Sequence, residues 1–219
     1  MTQNSSVAAA VAFGAAPVVI IGMALMIILF GASPDATGSG PCEQRDSSGC
    51  TVSGDAKTLA TQLVAAIDDG RLRFITSDGF DYAQQVHDAA TGTSAPNCGV
   101  DTRILQIVSV ALSNFGSVGI SDLNRQCTGV LAGAGTGSAH WIDGGGHAVD
   151  LTALDGVALT GCDANSVRLL RILDPMVPPG TRAGQAQCRR DEFTNIDGFD
   201  DTENHLHVDV AYATGGPAA

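Results

Sequence analysis

No charged residue lies between Val7 and Ala32. The run includes Val18-Val19-Ile20-Ile21 and Ala24-Leu25-Met26-Ile27-Ile28-Leu29-Phe30. About 20 apolar residues suffice to cross a bilayer as a helix, whereas a helix of a soluble core keeps a polar stripe. The run therefore predicts a single-pass transmembrane anchor over 1–33. A cleaved signal peptide fits less well, because Met1 to Ser6 has no Lys or Arg. The following Phe30-Gly31-Ala32-Ser33-Pro34 also places Phe where a small residue is needed. Neither flank is basic, so charge bias does not orient the anchor.

Orientation comes from the cysteines. All six (Cys42, Cys50, Cys98, Cys127, Cys162, Cys188) follow the apolar run, and their spacings contain no C-x-x-C knuckle. An even set of this kind points to disulfides in an oxidising space. Sequential pairing, Cys42–Cys50, Cys98–Cys127 and Cys162–Cys188, is the simplest arrangement. The expected location is the cell membrane, with the C-terminal part extracellular. The net charge of -12 and the lack of a Lys/Arg cluster argue against a nucleic-acid partner.

Beyond the anchor, residues 34–54 are rich in Gly, Ser, Asp and Pro and read as a stalk. Asp55 caps a helical pattern with Leu59, Leu63, Val64 and Ile67 on one face and Gly70 as its stop. With a short strand at Arg71–Ile75 and a helix at Tyr82–Ala90, residues 55–97 form a small helical annex. The main domain spans 98–214, and 215–219 is a tail. In the main domain, Ile104, Leu105, Val108, Ala111, Leu112 and Phe115 recur at helical steps, and Asn165–Leu173 reads as another helix. Val118–Ile120, Gly146–Leu151 and His205–Tyr212 read as strands. The predicted fold class is α+β, a small antiparallel sheet with helices packed on one face, preceded by the transmembrane helix and the annex.

Four of the five histidines fall in two patches, Ser138-Ala-His140-Trp-Ile-Asp-Gly-Gly-Gly-His147-Ala-Val-Asp150-Leu151 and Asn204-His205-Leu206-His207-Val208-Asp209. Residues two apart on a strand share a face, so His205 and His207 present imidazoles to one spot. His140 and Asp150 with one of those histidines make three ligands, leaving open the position that a hydrolytic zinc requires. His147, three residues from Asp150, points to the opposite face. Gly144-Gly145-Gly146 reads as slack in the turn between the two ligands.

Ser138-x-His140, Gly146-x-Ala148-x-Asp150 and His205-x-His207, in that order, resemble the pattern of a zinc peptidase superfamily. Its members include the D-Ala-D-Ala carboxypeptidases, L-alanyl-D-glutamate peptidases, murein endopeptidases and the Hedgehog signalling domain. Ile120–Cys127 is similar to wall-peptidase-like proteins of the same kind. The resemblance covers roughly Cys98 to Tyr212 and implies zinc held by His140, Asp150 and His207, with peptidoglycan peptides as substrate. It makes His205 a non-ligating histidine that stabilises charge or moves a proton, Arg125 the group that binds a substrate carboxylate or the oxyanion, and Ser138 a residue that orients a ligand. Two departures stand out. His140 precedes Asp150 by ten residues, where the family has about seven. The family's acidic base, three residues before the ligating histidine, is here Asn204, whose amide accepts no proton at neutral pH. That leaves Glu203 or Asp201 nearby, or His205 itself, as base, and the catalytic set is expected as His205, Arg125 and Glu203. The alternative expectation is a catalytically impaired metal-binding module that binds the wall or acts as a scaffold.

Overall fold

The computed structural model describes residues 54–75, 79–190 and 192–214. The expected anchor, nearly all of the stalk, the Cys42–Cys50 pair and the tail lie outside the described residues. Among the described residues, no helix is long and apolar enough to cross a membrane.

Each of the four longer helices starts where an aspartate can satisfy the unpaired N–H groups of a first turn. Asp55 caps α1 (Ala56–Asp68) through Thr58 N, Asp81 caps α2 (Tyr82–Thr91), Asp101 caps α3 (Thr102–Asn114) and Asp163 caps α5 (Ala164–Leu173). Between α3 and α5 a four-residue helix, α4 (Arg125–Thr128), is capped by Asn124. The apolar spacing seen in the sequence becomes the core: Leu59 and Leu63 of α1, Ile104, Leu105 and Val108 of α3, and Leu169, Leu170 and Leu173 of α5 are all buried.

The strands are β1 (Leu72–Phe74), β2 (Val118–Asp122), β3 (Ala148–Leu154), β4 (Val157–Ala158), β5 (Thr181–Ala183), β6 (Ile196–Gly198) and β7 (Leu206–Asp209). They form one seven-stranded sheet in the order β1-β2-β3-β7-β5-β6, with β4 paired to β3. The sheet is mixed, which corrects the antiparallel expectation. β1 runs parallel to β2 and β5 parallel to β6, while the pairs around β3 and β7 are antiparallel. Parallel neighbours need a crossover, and α2 and α3 lie in the chain between β1 and β2. The annex segment 55–97 thereby supplies an edge strand of the same sheet, and its Leu59, Leu63 and Val86 share one apolar core with α3 and α5.

Alternation along β3 and β7 divides the sheet. Val149, Leu151, Leu206 and Val208 join the core with the helices. Asp150 stands opposite His207 across the β3–β7 ladder, and Asp122 of β2 is the partner of Asp150 on its other side. Three polar side chains are thus brought abreast on the face away from the core. Two of the expected disulfides, Cys98–Cys127 and Cys162–Cys188, are present.

The triple glycine is not slack. Gly145 and Gly146 both have left-handed φ, 73° and 75°. A Cβ on Gly146 would stand 2.2 Å from the Gly99 carbonyl oxygen, and one on Gly145 2.8 Å from the His140 carbonyl oxygen. The turn is packed against neighbouring backbone, where only glycine fits. Gly146→Ala is therefore expected to destabilise the full-length protein by about 2 kcal/mol or more in chemical denaturation. Gly92→Ala, left-handed but with open space around it, should cost only about 1 kcal/mol.

Candidate metal centre

The centre is built on Asp150, a carboxylate left 4% exposed in the middle of the sheet. Such a charge is stable only when paired. Its Oδ2 accepts from Arg125 Nη2 at 2.9 Å, and Arg125 Nε is held in turn by Asp122 Oδ1 at 2.8 Å. Its Oδ1 faces His140 Nε2 at 3.1 Å, His207 Nδ1 at 2.8 Å and His205 Nε2 at 3.4 Å.

His140, fully buried, donates from Nδ1 to the Leu123 carbonyl. Its other ring nitrogen, Nε2, is therefore the one that faces Asp150. His207 has its outer nitrogen, Nε2, 3.2 Å from Asp209 Oδ2, leaving Nδ1 toward Asp150. Asp209 is itself fully buried and clamped by Arg182 Nε and Nη2 at 3.0 and 2.8 Å. Both histidines thus have the second nitrogen anchored to an acceptor and the first aimed at one carboxylate oxygen. This is the arrangement by which outer groups fix the tautomer of metal-binding histidines. The ligand atoms of His140, Asp150 and His207 lie within 4.8 Å of one another. Two imidazole nitrogens and a carboxylate oxygen suit zinc, and the donor set fits it.

The electrostatics agree with that convergence. Burial opposes charge on Asp150, but the imidazoles of His140 and His207 outweigh it and hold the carboxyl well below its usual range. Burial likewise opposes charge on His207, yet hydrogen bonds to Asp150 and Asp209 push it up to about 9.

The centre opens into a cleft of about 770 Å³ lined by residues including Arg125, Asp150, Arg182, Asp201, His205 and Tyr212. His205 donates from Nδ1 to the Asn204 amide oxygen at 2.7 Å, and its Nε2 lies 3.5 Å from Asp201 Oδ2. Ser138 accepts at Oγ from the His140 backbone N–H at 3.3 Å, so it fixes the backbone of His140 and not its ring. Glu203 is not brought to the centre: its Oε1 is 3.5 Å from Gln187 Nε2, on the exposed surface. Asp200 and Asp201 line the cleft instead, and Asp201 is the one beside His205. His147 instead pairs with Asp101 Oδ2 at 2.9 Å, away from Asp150.

Sequence reasoning missed Asn124, Asp122, Arg182 and the role of Asp209. Asn124 is fully buried, and its amide nitrogen lies within hydrogen-bonding distance of the carbonyls of Asn97, Gly99 and Gly144. Its Oδ1 accepts from Cys127 N, so one side chain joins the glycine turn to the start of α4. The usable signals were Asp209, two residues from His207 on the same strand face, and the Ile120–Cys127 stretch, which contains Asp122 and Asn124. The chain matches no protein-family model, no curated protein and no solved structure.

Asp209→Asn should lower zinc affinity about 10–100-fold in competition with a chelator, because the His207 ring loses its anionic anchor. Zinc must also displace the proton that His207 carries up to about pH 9. Apparent affinity is therefore expected to rise about tenfold per pH unit from neutrality and to level off near pH 9, read by the same competition.

Proposed function

We propose that this domain is a zinc-dependent peptidase acting on peptidoglycan stem or cross-bridge peptides, anchored in the cell membrane and facing outward. The observation that carries the reading is the convergence of His140 Nε2 and His207 Nδ1 on Asp150 Oδ1, with both outer nitrogens locked. Two disulfides support an oxidising compartment. The resemblance of the three histidine and aspartate motifs to the wall-peptidase superfamily supplies the substrate class.

Zinc held by these three residues supplies a Lewis acid for the scissile carbonyl and lowers the pKa of water to roughly 7. The chain's own groups do the rest. Asp201, in the cleft beside His205, accepts the proton of the attacking water at Oδ2 and returns it to the leaving amine. His205 Nε2, between Asp150 and Asp201, sets positive character beside the developing oxyanion. Arg125 holds the outer oxygen of Asp150 and lines the cleft, where it meets a peptide carbonyl or carboxylate.

One observation favours a second reading, a catalytically impaired module that keeps the metal and binds the wall. Asn204 occupies the expected base position, and its oxygen is already engaged by His205 and Thr202. Purified full-length protein incubated with zinc and muropeptides separates the two. The peptidase reading expects cleavage, a loss of about 10²–10⁴-fold in kcat/KM for Asp201→Asn at unchanged zinc content, and no loss for Glu203→Gln. Stoichiometric zinc without cleavage, together with cleavage gained by Asn204→Asp, is the result of the impaired module. Absence of zinc binding overturns both.

A further inference from the structure

Beside the first ligand set lies a second trio. The ligand atoms of Asp201, His205 and His207 also lie within 4.8 Å of one another. His207 belongs to both sets by position, but its Nδ1 is directed to Asp150. The neighbouring ring is free of that commitment. His205 donates from Nδ1 to the Asn204 amide oxygen, an acceptor that adds no charge, which leaves Nε2 as the ring nitrogen toward the cleft. That nitrogen faces two carboxylate oxygens, Asp150 Oδ1 at 3.4 Å and Asp201 Oδ2 at 3.5 Å.

A ring nitrogen set between two carboxylate oxygens offers a place for a cation. A proton draws nitrogen and oxygen to about 2.9 Å. Ligands placed 2.0–2.1 Å from a tetrahedral zinc stand about 3.3 Å apart. The 3.4 and 3.5 Å approaches of His205 Nε2 leave room for an ion beside it. Charge in the cleft favours a further cation as well: Asp122, Asp150, Asp200 and Asp201 line it against Arg125 and Arg182. Asp150 can serve as a shared carboxylate, the arrangement that lets two ions sit about 3.5–4 Å apart in hydrolytic centres.

We propose that Asp201 and His205, with Asp150 as the shared carboxylate, form a second and weaker zinc position whose filling shuts the centre off by occupying Asp201. The regulatory half rests on the peptidase reading; the ion position stands without it. The position is weaker because it borrows Asp150 from the first set, and because Asp201 is partly exposed to the cleft while His140 and Asp209 are fully buried.

Equilibrium dialysis of the full-length protein against buffered free zinc, with metal content read by mass spectrometry, tests this. Visible spectra of the Co²⁺ form give an independent readout. Wild type should load in two steps. Asp201→Asn and His205→Gln should each lose the second step and keep the first, with unchanged circular dichroism. Muropeptide cleavage should rise through the first step and fall at least about tenfold through the second, as expected from silencing a general base. Single-step loading of wild type overturns the second position and leaves the peptidase reading standing. Two-step loading that persists in both variants also overturns it, since the second ion then binds elsewhere. Two-step loading that is lost in the variants, but with no cleavage at any zinc level, supports the ion position and overturns the regulatory half together with the peptidase reading.

Discussion

A single buried carboxylate sets the terms for this domain. Asp150 lies on the third strand with almost no solvent of its own, and an unpaired charge there would cost several kcal/mol. The cross-strand ladders deliver its partners. Asp122, opposite on one side, steers the Arg125 guanidinium onto Oδ2, and His207, opposite on the other, reaches Oδ1. A one-residue slip in either ladder would turn these side chains into the core and the valines outward. The apolar face, Val149 and Leu151 against Leu206 and Val208, therefore fixes the register in which the polar face can work.

His140 comes from a loop, not a ladder, and its placement depends on covalent and backbone constraints further away. The Cys98–Cys127 disulfide closes a span of 29 residues, worth about 3.5 kcal/mol by the loop-entropy account. It also holds the Asn97–Gly99 strip near the start of α4. Asn124 then ties that strip to the glycine turn, and the His140 carbonyl accepts from Arg125 N and from Gln126 N. Gln85 of α2 exchanges two hydrogen bonds with the Asn124 backbone, so a helix of the N-terminal segment supports the histidine loop. The Cys98–Cys127 disulfide thus bears on the centre directly, through the loop that carries His140.

The long elements were legible because their signals are local. Helical patterns located α1, α2, α3 and α5, with Asp55 marking the start of α1, and strand alternation put Asp150 and His207 on the polar face. β4, β5 and β6, at two or three residues each, are too short to show a period and exist because neighbours pair with them. The mixed character of the sheet was hidden for the same reason, since parallel pairing is decided by a crossover and leaves no local trace. Of the site, His140, Asp150, His205 and His207 were readable from type and spacing, and Arg125 only from the resemblance. Asn124, Asp122 and Arg182 act through contacts 20 or more residues away, or through a neighbour's charge. Glu203 was chosen on proximity in sequence, but the chain turns its carboxylate outward and Asp201 inward.

The two departures from the pattern that the motifs resemble differ in physical consequence. The three extra residues between His140 and Asp150 are absorbed by a tight turn at Ile142–Gly144, with Asp143 and the glycines in left-handed conformations, and His140 Nε2 still reaches Asp150 at 3.1 Å. That departure changes a loop and leaves the ligand geometry alone. The amide at position 204 changes chemistry, because it cannot take a proton. It acts on its neighbour: by accepting from His205 Nδ1 it sets the ring so that Nε2 faces Asp150 and Asp201. On the proposed reading the carboxylate that works as base lies three positions upstream of Asn204, and an uncharged residue at 204 keeps the local negative charge from rising further. Asp201 has its own pKa lowered, burial opposing the charge and His205 outweighing it. On that reading it is a weaker base than the buried glutamates that hydrolases tune upward. That exchange trades catalytic driving force for a site that is ionised, oriented and able to take a cation.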